Sequence, residues 1–214
     1  MLQAYGIGVL GVGSSEAAME TAGSDVSNET RLRLDAYVAL LGKWTRAINL
    51  VSPGDRDALW SRHVRDSLRL VPLIPDSVDR ALDLGSGGGL PGLVLAVATG
   101  LPFELVEADQ RKAAFLREAA RVTGAPVTVR CQRIEAGGVP PARLVTARAL
   151  APLARLLGYA HPLLQPGGTC LFPKGAELEA ELAACDGWRM RAERFPALDR
   201  AGSVVLRVTE LSRG

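Results

Sequence analysis

The strongest chemical signal in the sequence is a glycine run, Gly85-Ser86-Gly87-Gly88-Gly89-Leu90-Pro91-Gly92, with five glycines in eight residues. Apolar segments at 80–84 and 93–98 flank this run, which predicts a strand, a turn and the start of a helix. Such a turn directs free backbone N–H groups to one point, where the helix N-terminus also favours negative charge. A buried turn needs only one or two glycines, so five predict the close approach of a nucleotide-type ligand.

An acidic residue follows the glycine run at the distance expected for a ribose contact. Gly87 to Gly92 satisfies the G-x-G-x-x-G pattern, and Glu107 stands 20 residues beyond Gly87, at the end of the next predicted strand. An acceptor-only carboxylate at that point suits two ribose hydroxyls. These features permit NAD as well as S-adenosylmethionine.

Three further features favour S-adenosylmethionine over NAD. The glycine strand begins near residue 80, after predicted helices, whereas many dehydrogenases begin with it. The chain is too short for a full dinucleotide fold followed by a separate substrate domain. Asp83 precedes Gly85 in the pattern Asp-x-Gly-x-Gly, which is typical of class I methyltransferases.

The elements that position these residues alternate between strand and helix. Strands are predicted at 80–84, 103–107, 127–131, 143–147 and 169–172, and helices at 91–99, 110–123, 151–164 and 176–184. The last two strand-like segments, 188–195 and 203–209, have no helix between them. The predicted fold is therefore α/β and Rossmann-like, with a mostly parallel sheet that ends in an antiparallel hairpin.

The N-terminal third has a different pattern. Residues 1–28 are rich in Gly, Ser and Ala and are predicted to be a flexible extension. Apolar residues recur at helical spacing from Leu34 to Ile48, with Asn28 as the expected N-cap, and a capping box from Ser52 to Asp55 begins a second helix. We expect a helical cap at 29–75 and the Rossmann-like domain at 76–214.

Composition restricts the class of protein. No apolar run approaches the ~20 residues of a membrane span, and three scattered cysteines, without metal-ligand spacing, indicate a reducing compartment such as the cytoplasm. Residues 1–30 contain four acidic residues and neither Lys nor Arg, which gives this segment a net charge of −4. Because the whole chain has a net charge of +2, residues 31–214 carry a net charge of +6. A moderately basic body is compatible with a polyanionic partner. We expect no membrane association and no metal.

Several segments, taken in order, resemble the 16S rRNA (guanine-N7) methyltransferases of the RsmG family, also called GidB. Besides the glycine run, they are Lys43-Trp44, Asn49-Leu50-Val51, Arg62-His63-Val64-Arg65-Asp66-Ser67, Glu107 with Arg111-Lys112 and Phe115-Leu116, Arg133-Ile134-Glu135, Leu164-Gln165-Pro166-Gly167-Gly168 and Lys174-Gly175. One position departs from the family, which usually has Ser-Arg-Ala where this chain has Ala147-Arg148-Ala149. The arginine is kept, and any hydrogen bond of that serine is lost.

The resemblance and the positions of the residues together imply a site. The expected S-adenosylmethionine-binding residues are Gly85, Gly87, Leu90, Glu107, Ala108, Ile134, Glu135 and Arg148, with adenine held after the third strand. Arg148 is the expected catalytic residue, and Lys174, His63 and Asp66 are candidates for RNA contact. The alternatives are a salt bridge for Arg148, a surface position for Lys174 and a structural pair for His63 with Asp66.

Methylation of guanine N7 makes few chemical demands on side chains. N7 carries a free lone pair, so no proton has to be removed before it attacks a methyl group. The expected work is alignment of the reacting atoms, and His63 is not expected to act as a base. The resemblance implies methylation of 16S rRNA, either naked, in the 30S subunit or in an assembly intermediate, and we expect a monomer. A small-molecule or protein methyltransferase and a non-catalytic rRNA-binding assembly factor remain the alternatives.

Overall fold

The computed structural model describes residues 26–52, 58–196 and 203–214. Residues 1–25, most of the predicted extension, lie outside the described residues, as does Asp55 of the predicted capping box. The described chain forms a seven-stranded sheet in the order β3-β2-β1-β4-β5-β7-β6. Its strands are β1 Ala81–Leu84, β2 Phe103–Glu107, β3 Val127–Cys131, β4 Ala142–Thr146, β5 Leu164–Lys174, β6 Trp188–Pro196 and β7 Val204–Arg213.

Strands β1 to β5 are mutually parallel, whereas β7 pairs antiparallel with both β5 and β6. The predicted class, a mostly parallel sheet with an antiparallel end, is therefore confirmed. The order reverses beside β1, with β2 on one side and β4 on the other. Ligands of open α/β sheets bind at such a point, outside the carboxyl ends of the strands.

Helices cover both faces of the sheet and divide the core into two apolar clusters. One face carries α1 Asn28–Thr45, α3 Gly92–Thr99 and α4 Gln110–Thr123, and the other carries α5 Leu153–Ala160 and α6 Leu178–Ala183. Local signals set the helix ends. Asp109 accepts hydrogen bonds from the N–H groups of Arg111 and Lys112 at the start of α4, and Gly124 ends that helix at φ 61°.

The N-terminal helices differ in detail from the prediction. Helix α1 begins at Asn28, but Ser27 is its N-cap, because the Ser27 hydroxyl accepts from the Thr30 N–H at 3.1 Å. The predicted Asn28 cap is therefore wrong by one residue. The second helix consists of a π-helical segment, Leu59–Val64, which continues into α2, Arg65–Leu68. A π-helical turn widens the backbone and is frequent at functional sites.

Two element boundaries in the C-terminal half also differ from the prediction. β5 begins at Leu164, five residues before the predicted start, because the segment with turn residues Pro166 and Gly167 still pairs with β4 across a register shift. Helix α5 ends at Ala160, where a 3₁₀ turn, His161–Leu163, takes over. Pro162 suits that turn, since proline is tolerated at the start of a helical segment, where no N–H bond is lost.

Candidate active site

Most of the glycines in the glycine run have a steric reason within the fold. Gly85, Gly87 and Gly89 have φ of 64°, 55° and 84°, a region that side chains disfavour. A Cβ on Gly92 would lie 2.5 Å from the Cβ of Asp83. The number of glycines alone therefore does not require a ligand, and the case for one rests on the groups that face the turn.

Helix α1 supports the glycine turn from behind. The hydroxyl of Tyr37 is fully buried and donates to the carbonyl oxygen of Gly88 at 2.5 Å. Burial raises the pKa of Tyr37 far above its ordinary value, so the hydroxyl stays protonated and remains a donor. The N-terminal helical segment is thus tied directly to the predicted nucleotide-binding turn.

Glu107 ties the end of β2 to the same turn. One carboxylate oxygen, Oε2, accepts from the Gly87 N–H at 2.8 Å, and Oε1 accepts from the Asp109 N–H at 2.8 Å. The residue is 8% exposed. A carboxylate has about four lone-pair sites, so two remain for ligand hydroxyls after both backbone contacts. The ribose contact of Glu107 stays a prediction.

A cavity of about 360 Å³ opens between the turn and the ends of β2 and β3. Its lining includes six of the eight predicted cofactor residues: Gly85, Gly87, Glu107, Ala108, Ile134 and Glu135. We call it the cofactor cavity. Leu90 does not line it and packs into the apolar core at 4% exposure, and Arg148 lies in a neighbouring cavity.

Two residues of α5 that the sequence analysis missed also line the cofactor cavity. The Tyr159 hydroxyl donates to Glu135 Oε1 at 2.9 Å, and Arg155 Nε donates to the Tyr159 oxygen at 2.7 Å. Their spacing of four residues on one helix face was visible in the sequence. Nothing in the sequence pairs that face with Glu135, which lies more than 20 residues earlier.

The second cavity is larger, about 920 Å³, and we call it the basic cavity. It gathers four further predicted site residues, His63, Asp66, Arg148 and Lys174, together with Arg62, Arg69 and Glu181, whereas Leu90 lines neither cavity. The wall formed by residues 149–151 separates it from the cofactor cavity, and all three of those residues line both. Residues from the N-terminal helices and from the carboxyl ends of β4 and β5 thus meet at one place.

Arg148 and His63 are in direct contact, with Arg148 Nη1 3.0 Å from His63 Nδ1. Because a guanidinium has donors only, Nδ1 must be the acceptor, and the imidazole of this geometry is neutral. His63 is 9% exposed. The Asp66 carboxylate accepts from Arg69 Nη1 at 3.2 Å, and the structural pairing of His63 with Asp66 stays a prediction.

Lys174 is neither a surface residue nor directed at solvent. Its side chain is 10% exposed, and its Nζ lies 2.5 Å from Glu181 Oε2. Glu181, on α6, was not among the predicted site residues. Helix α6 is only six residues long and carries two glutamates, Glu179 and Glu181, so the sequence does not distinguish the one that faces inward.

Asp83 lies beneath the glycine turn and lines neither cavity. It is fully buried on β1, and the Thr146 hydroxyl of the adjacent strand donates to its Oδ1 at 2.7 Å. Burial, opposed in part by that hydrogen bond, raises the pKa of Asp83 to about 6 from its ordinary 3.8. Asp83 is therefore a buried group beneath the turn and is outside the lining of both cavities.

The raised pKa of Asp83 gives a pH-dependent stability. The folded protein favours the neutral carboxyl, so the contribution of Asp83 to stability is present below pH about 4 and is lost as the pH rises through about 6. The total change is about 3 kcal/mol, from a shift of about two pKa units. The asparagine side chain of Asp83→Asn does not titrate, so we expect the unfolding free energy of this variant, measured with urea, to rise by that amount relative to the unaltered protein as the pH increases from 4 to 8. A difference in unfolding free energy that is constant with pH would contradict this result.

Comparison with known proteins identifies the family. The sequence model of the family described as rRNA small subunit methyltransferase G (GidB) matches residues 31–193, more than half of the chain. The chain belongs to this family. The family match begins just inside α1 and includes every predicted site residue.

Similar curated proteins support the same family over most of the chain. The ribosomal RNA small subunit methyltransferase G of Acidiphilium cryptum is 55% identical over 205 residues, which cover 88% of this chain and 94% of that protein. The protein of the same name from Granulibacter bethesdensis is 53% identical, and the matched region covers 90% of this chain and 91% of that protein. The predicted resemblance to the GidB family is confirmed.

Solved structures with a similar fold are methyltransferases of low sequence identity. The O-methyltransferase TomG of Streptomyces achromogenes, solved with SAM, has a TM-score of 0.57 at 13% sequence identity. The matched region covers 90% of this chain and 95% of TomG. An O-methyltransferase of Bacillus cereus, solved with SAH, has a TM-score of 0.56 at 16% identity, with coverages of 91% and 96%. These similarities establish the class I methyltransferase fold.

The described part of the chain has neither a candidate membrane span nor a grouped set of metal ligands. None of its helices is long and apolar enough to cross a membrane. Within residues 26–52, 58–196 and 203–214, no three His, Cys, Asp or Glu residues are grouped so as to hold a metal ion. Cys170 and Cys185 are buried thiols and Cys131 is exposed at the end of β3.

Proposed function

We propose that this GidB-family protein transfers a methyl group from S-adenosylmethionine to N7 of one guanosine in 16S ribosomal RNA. The observation that carries the proposal is the pair of cavities that share residues 149–151. One cavity has the groups that a nucleoside requires, and the other is lined by several cations. A methyl group can pass between two ligands only where their sites adjoin in this way.

The residues of the cofactor cavity fit S-adenosylmethionine. Glycine backbone at Gly85 and Gly87 permits close approach, and Glu107 offers acceptors for the ribose hydroxyls. Ala108 lines the same cavity, and we propose that adenine binds beside Ile134 and Glu135, which follow the third strand. When bound, S-adenosylmethionine supplies an electrophilic methyl group on a positively charged sulfur.

The basic cavity suits a guanosine and its phosphates. Its volume of about 920 Å³ lies within the range of ordinary ligand sites, which reaches about 1,000 Å³. Arg62 and Arg69 lie on the N-terminal helical segments, and His63 and Asp66 lie between them. We propose that these residues contact the RNA and that Lys174 belongs to the same cavity.

We assign alignment of the reacting base to Arg148. Its guanidinium lies beside the wall between the two cavities and is oriented by the His63 imidazole at 3.0 Å. Arginine donors match guanine O6 and N7, so contact with O6 would fix the direction of the N7 lone pair. No proton transfer is required, which agrees with a neutral His63 that serves as an acceptor.

We also propose the arrangement of the chain and its location. Residues 29–75 form a cap that contributes one wall of the basic cavity, and residues 76–214 form the Rossmann-like domain. We propose that the protein acts as a monomer in the cytoplasm, on 16S rRNA as a free strand, in the 30S subunit or in an assembly intermediate. The cap residues Tyr37 and His63, which contact the glycine turn and Arg148, support a single working unit.

A methylation assay with labelled S-adenosylmethionine tests the proposed function. The substrates are 16S rRNA and 30S subunits from cells that lack this protein, and mass mapping locates the product. We expect one 7-methylguanosine per 16S rRNA, and an RNA affinity that falls steeply with salt because bound counterions are released. Label in protein or in small molecules would favour the alternative methyltransferase. Binding of S-adenosylhomocysteine and RNA without transfer would favour a non-catalytic assembly factor.

A further inference from the structure

The wall between the two cavities is a short turn with an unfavourable backbone. Ala149 has φ 52°, a left-handed conformation that a residue with a Cβ rarely adopts. The next side chain, Leu150, packs directly on the glycine turn, since its Cδ1 lies 2.5 Å from where a Cβ on Gly85 would stand. Because Arg148 immediately precedes this wall, the position of the wall also fixes the candidate catalytic residue.

An ion pair between Lys174 and Glu181 contacts the C-terminal end of the turn. Glu181 Oε2 accepts from the Leu153 N–H at 2.6 Å and from Lys174 Nζ at 2.5 Å. Lys174 Nζ in turn donates to the carbonyl oxygen of Ala151 at 3.5 Å. The two charged residues thereby connect β5 and α6 to both the wall and the first N–H of α5.

Burial makes this pair different from an ordinary surface salt bridge. The side chains of Lys174 and Glu181 are 10% and 23% exposed. Surface pairs contribute little because water screens them and long side chains lose entropy, whereas removing one partner of a buried pair leaves an uncompensated charge. The same helix carries a surface pair for comparison, Glu179 with Arg194, in which Glu179 is 74% exposed.

We propose that Glu181 and Lys174 are positioning residues for methyl transfer. They hold residues 149–152 in place, including the left-handed Ala149, and this keeps Leu150 against Gly85 and Arg148 at the junction of the two cavities. The positive charge of Lys174 is then used within the protein and is not a phosphate contact. The inference rests on the proposed function and assigns to Lys174 a role other than RNA binding.

Steady-state kinetics of Glu181→Gln test the proposal against the matched control Glu179→Gln. Glutamine can still accept from the Leu153 N–H but no longer balances the charge of Lys174. We expect kcat to fall by about tenfold to about 100-fold, the effect of a small misplacement of reacting groups. KM for 16S rRNA and Kd for S-adenosylhomocysteine should change by less than about threefold. Glu181→Asp, which keeps the charge, should recover part of kcat, and Glu179→Gln should behave as the unaltered protein.

A structural defect alone would give a different pattern. Calorimetry with S-adenosylhomocysteine counts the folded sites, and we expect one site per chain in Glu181→Gln while kcat is reduced. A loss of kcat that only matches a loss of binding sites would overturn the proposal. So would equal kcat values for Glu181→Gln and Glu179→Gln.

Lys174→Gln separates positioning from phosphate contact. Under the proposal kcat falls, while KM for RNA and the dependence of affinity on salt stay as they were. A raised KM with unchanged kcat, and a salt slope lower by about one, would show a phosphate contact and overturn the proposal. If the unaltered protein does not methylate 16S rRNA, the proposed function fails and this inference fails with it. A failure confined to the variants concerns the inference alone.

Discussion

Arg148→Ala should lose nearly all methylation of 16S rRNA at every salt concentration, with kcat lower by about 100-fold to 1,000-fold. Removal of one positioned donor at a reaction centre has an effect of that size. Arg148 contacts His63 at 3.0 Å beside the wall that both cavities share, so its guanidinium lies where base and methyl donor would meet. RNA affinity should remain within about threefold, because Arg148 lies at the reaction centre and other cations of the basic cavity make the phosphate contacts. Single-turnover methylation at saturating RNA measures the chemical step directly.

Arg62→Ala is the matched control for this result. Arg62 lines the same basic cavity from an exposed position on the π-helical segment. We expect it to raise KM for RNA and to lower the salt slope by about one, with kcat unchanged. If Arg148→Ala behaves in the same way as Arg62→Ala, Arg148 is a phosphate contact and its assignment to the reaction centre is wrong.

Glu107→Ala should weaken binding of S-adenosylhomocysteine by about 1–3 kcal/mol, or roughly fivefold to 150-fold. Unpaired polar groups in a buried site cost that much. Two effects contribute, because Glu107 accepts from the N–H groups of Gly87 and Asp109 as well as facing the cofactor cavity. Isothermal titration calorimetry gives the affinity, and Glu118→Gln, at a half-buried glutamate of α4 that pairs with Arg121, serves as the unaffected control.

An analogue of S-adenosylhomocysteine without the ribose 2′-hydroxyl separates the two effects. If Glu107 accepts from that hydroxyl, its removal weakens binding to the unaltered protein and has little further effect on Glu107→Ala. Equal losses for both proteins would show that Glu107 acts only through the glycine turn. The ribose contact would then have to be assigned elsewhere.

The sequence determined those parts of the site that depend on neighbouring residues and strand order. The alternation of strands and helices is a local property, and it predicts a parallel sheet whose carboxyl ends share one edge. Residues that directly follow a strand must meet at that edge. Gly85, Gly87, Glu107, Ile134 and Glu135 are therefore found around one cavity, as predicted.

Local patterns were less informative where packing decides the outcome. Leu90 belongs to the glycine run, yet it lies in the core at 4% exposure because the turn directs it into the apolar cluster. Asp83 matched a cofactor-binding pattern, yet it is fully buried beneath the turn, where it accepts a hydrogen bond from the Thr146 hydroxyl. A pattern gives the spacing of residues and does not give the direction of their side chains.

Only the tertiary structure decided which charged groups meet. Arg148 and His63 are separated by 85 residues in sequence, and no periodicity links the helical cap to the end of β4. Lys174 and Glu181 are close in sequence, but their hydrogen bonds to the Ala151 carbonyl and the Leu153 N–H depend on how α6 packs beside β5. The reason is physical: hydrophobic periodicity determines which face of an element is buried, whereas pairing of charges depends on distances that exist only after those faces have packed.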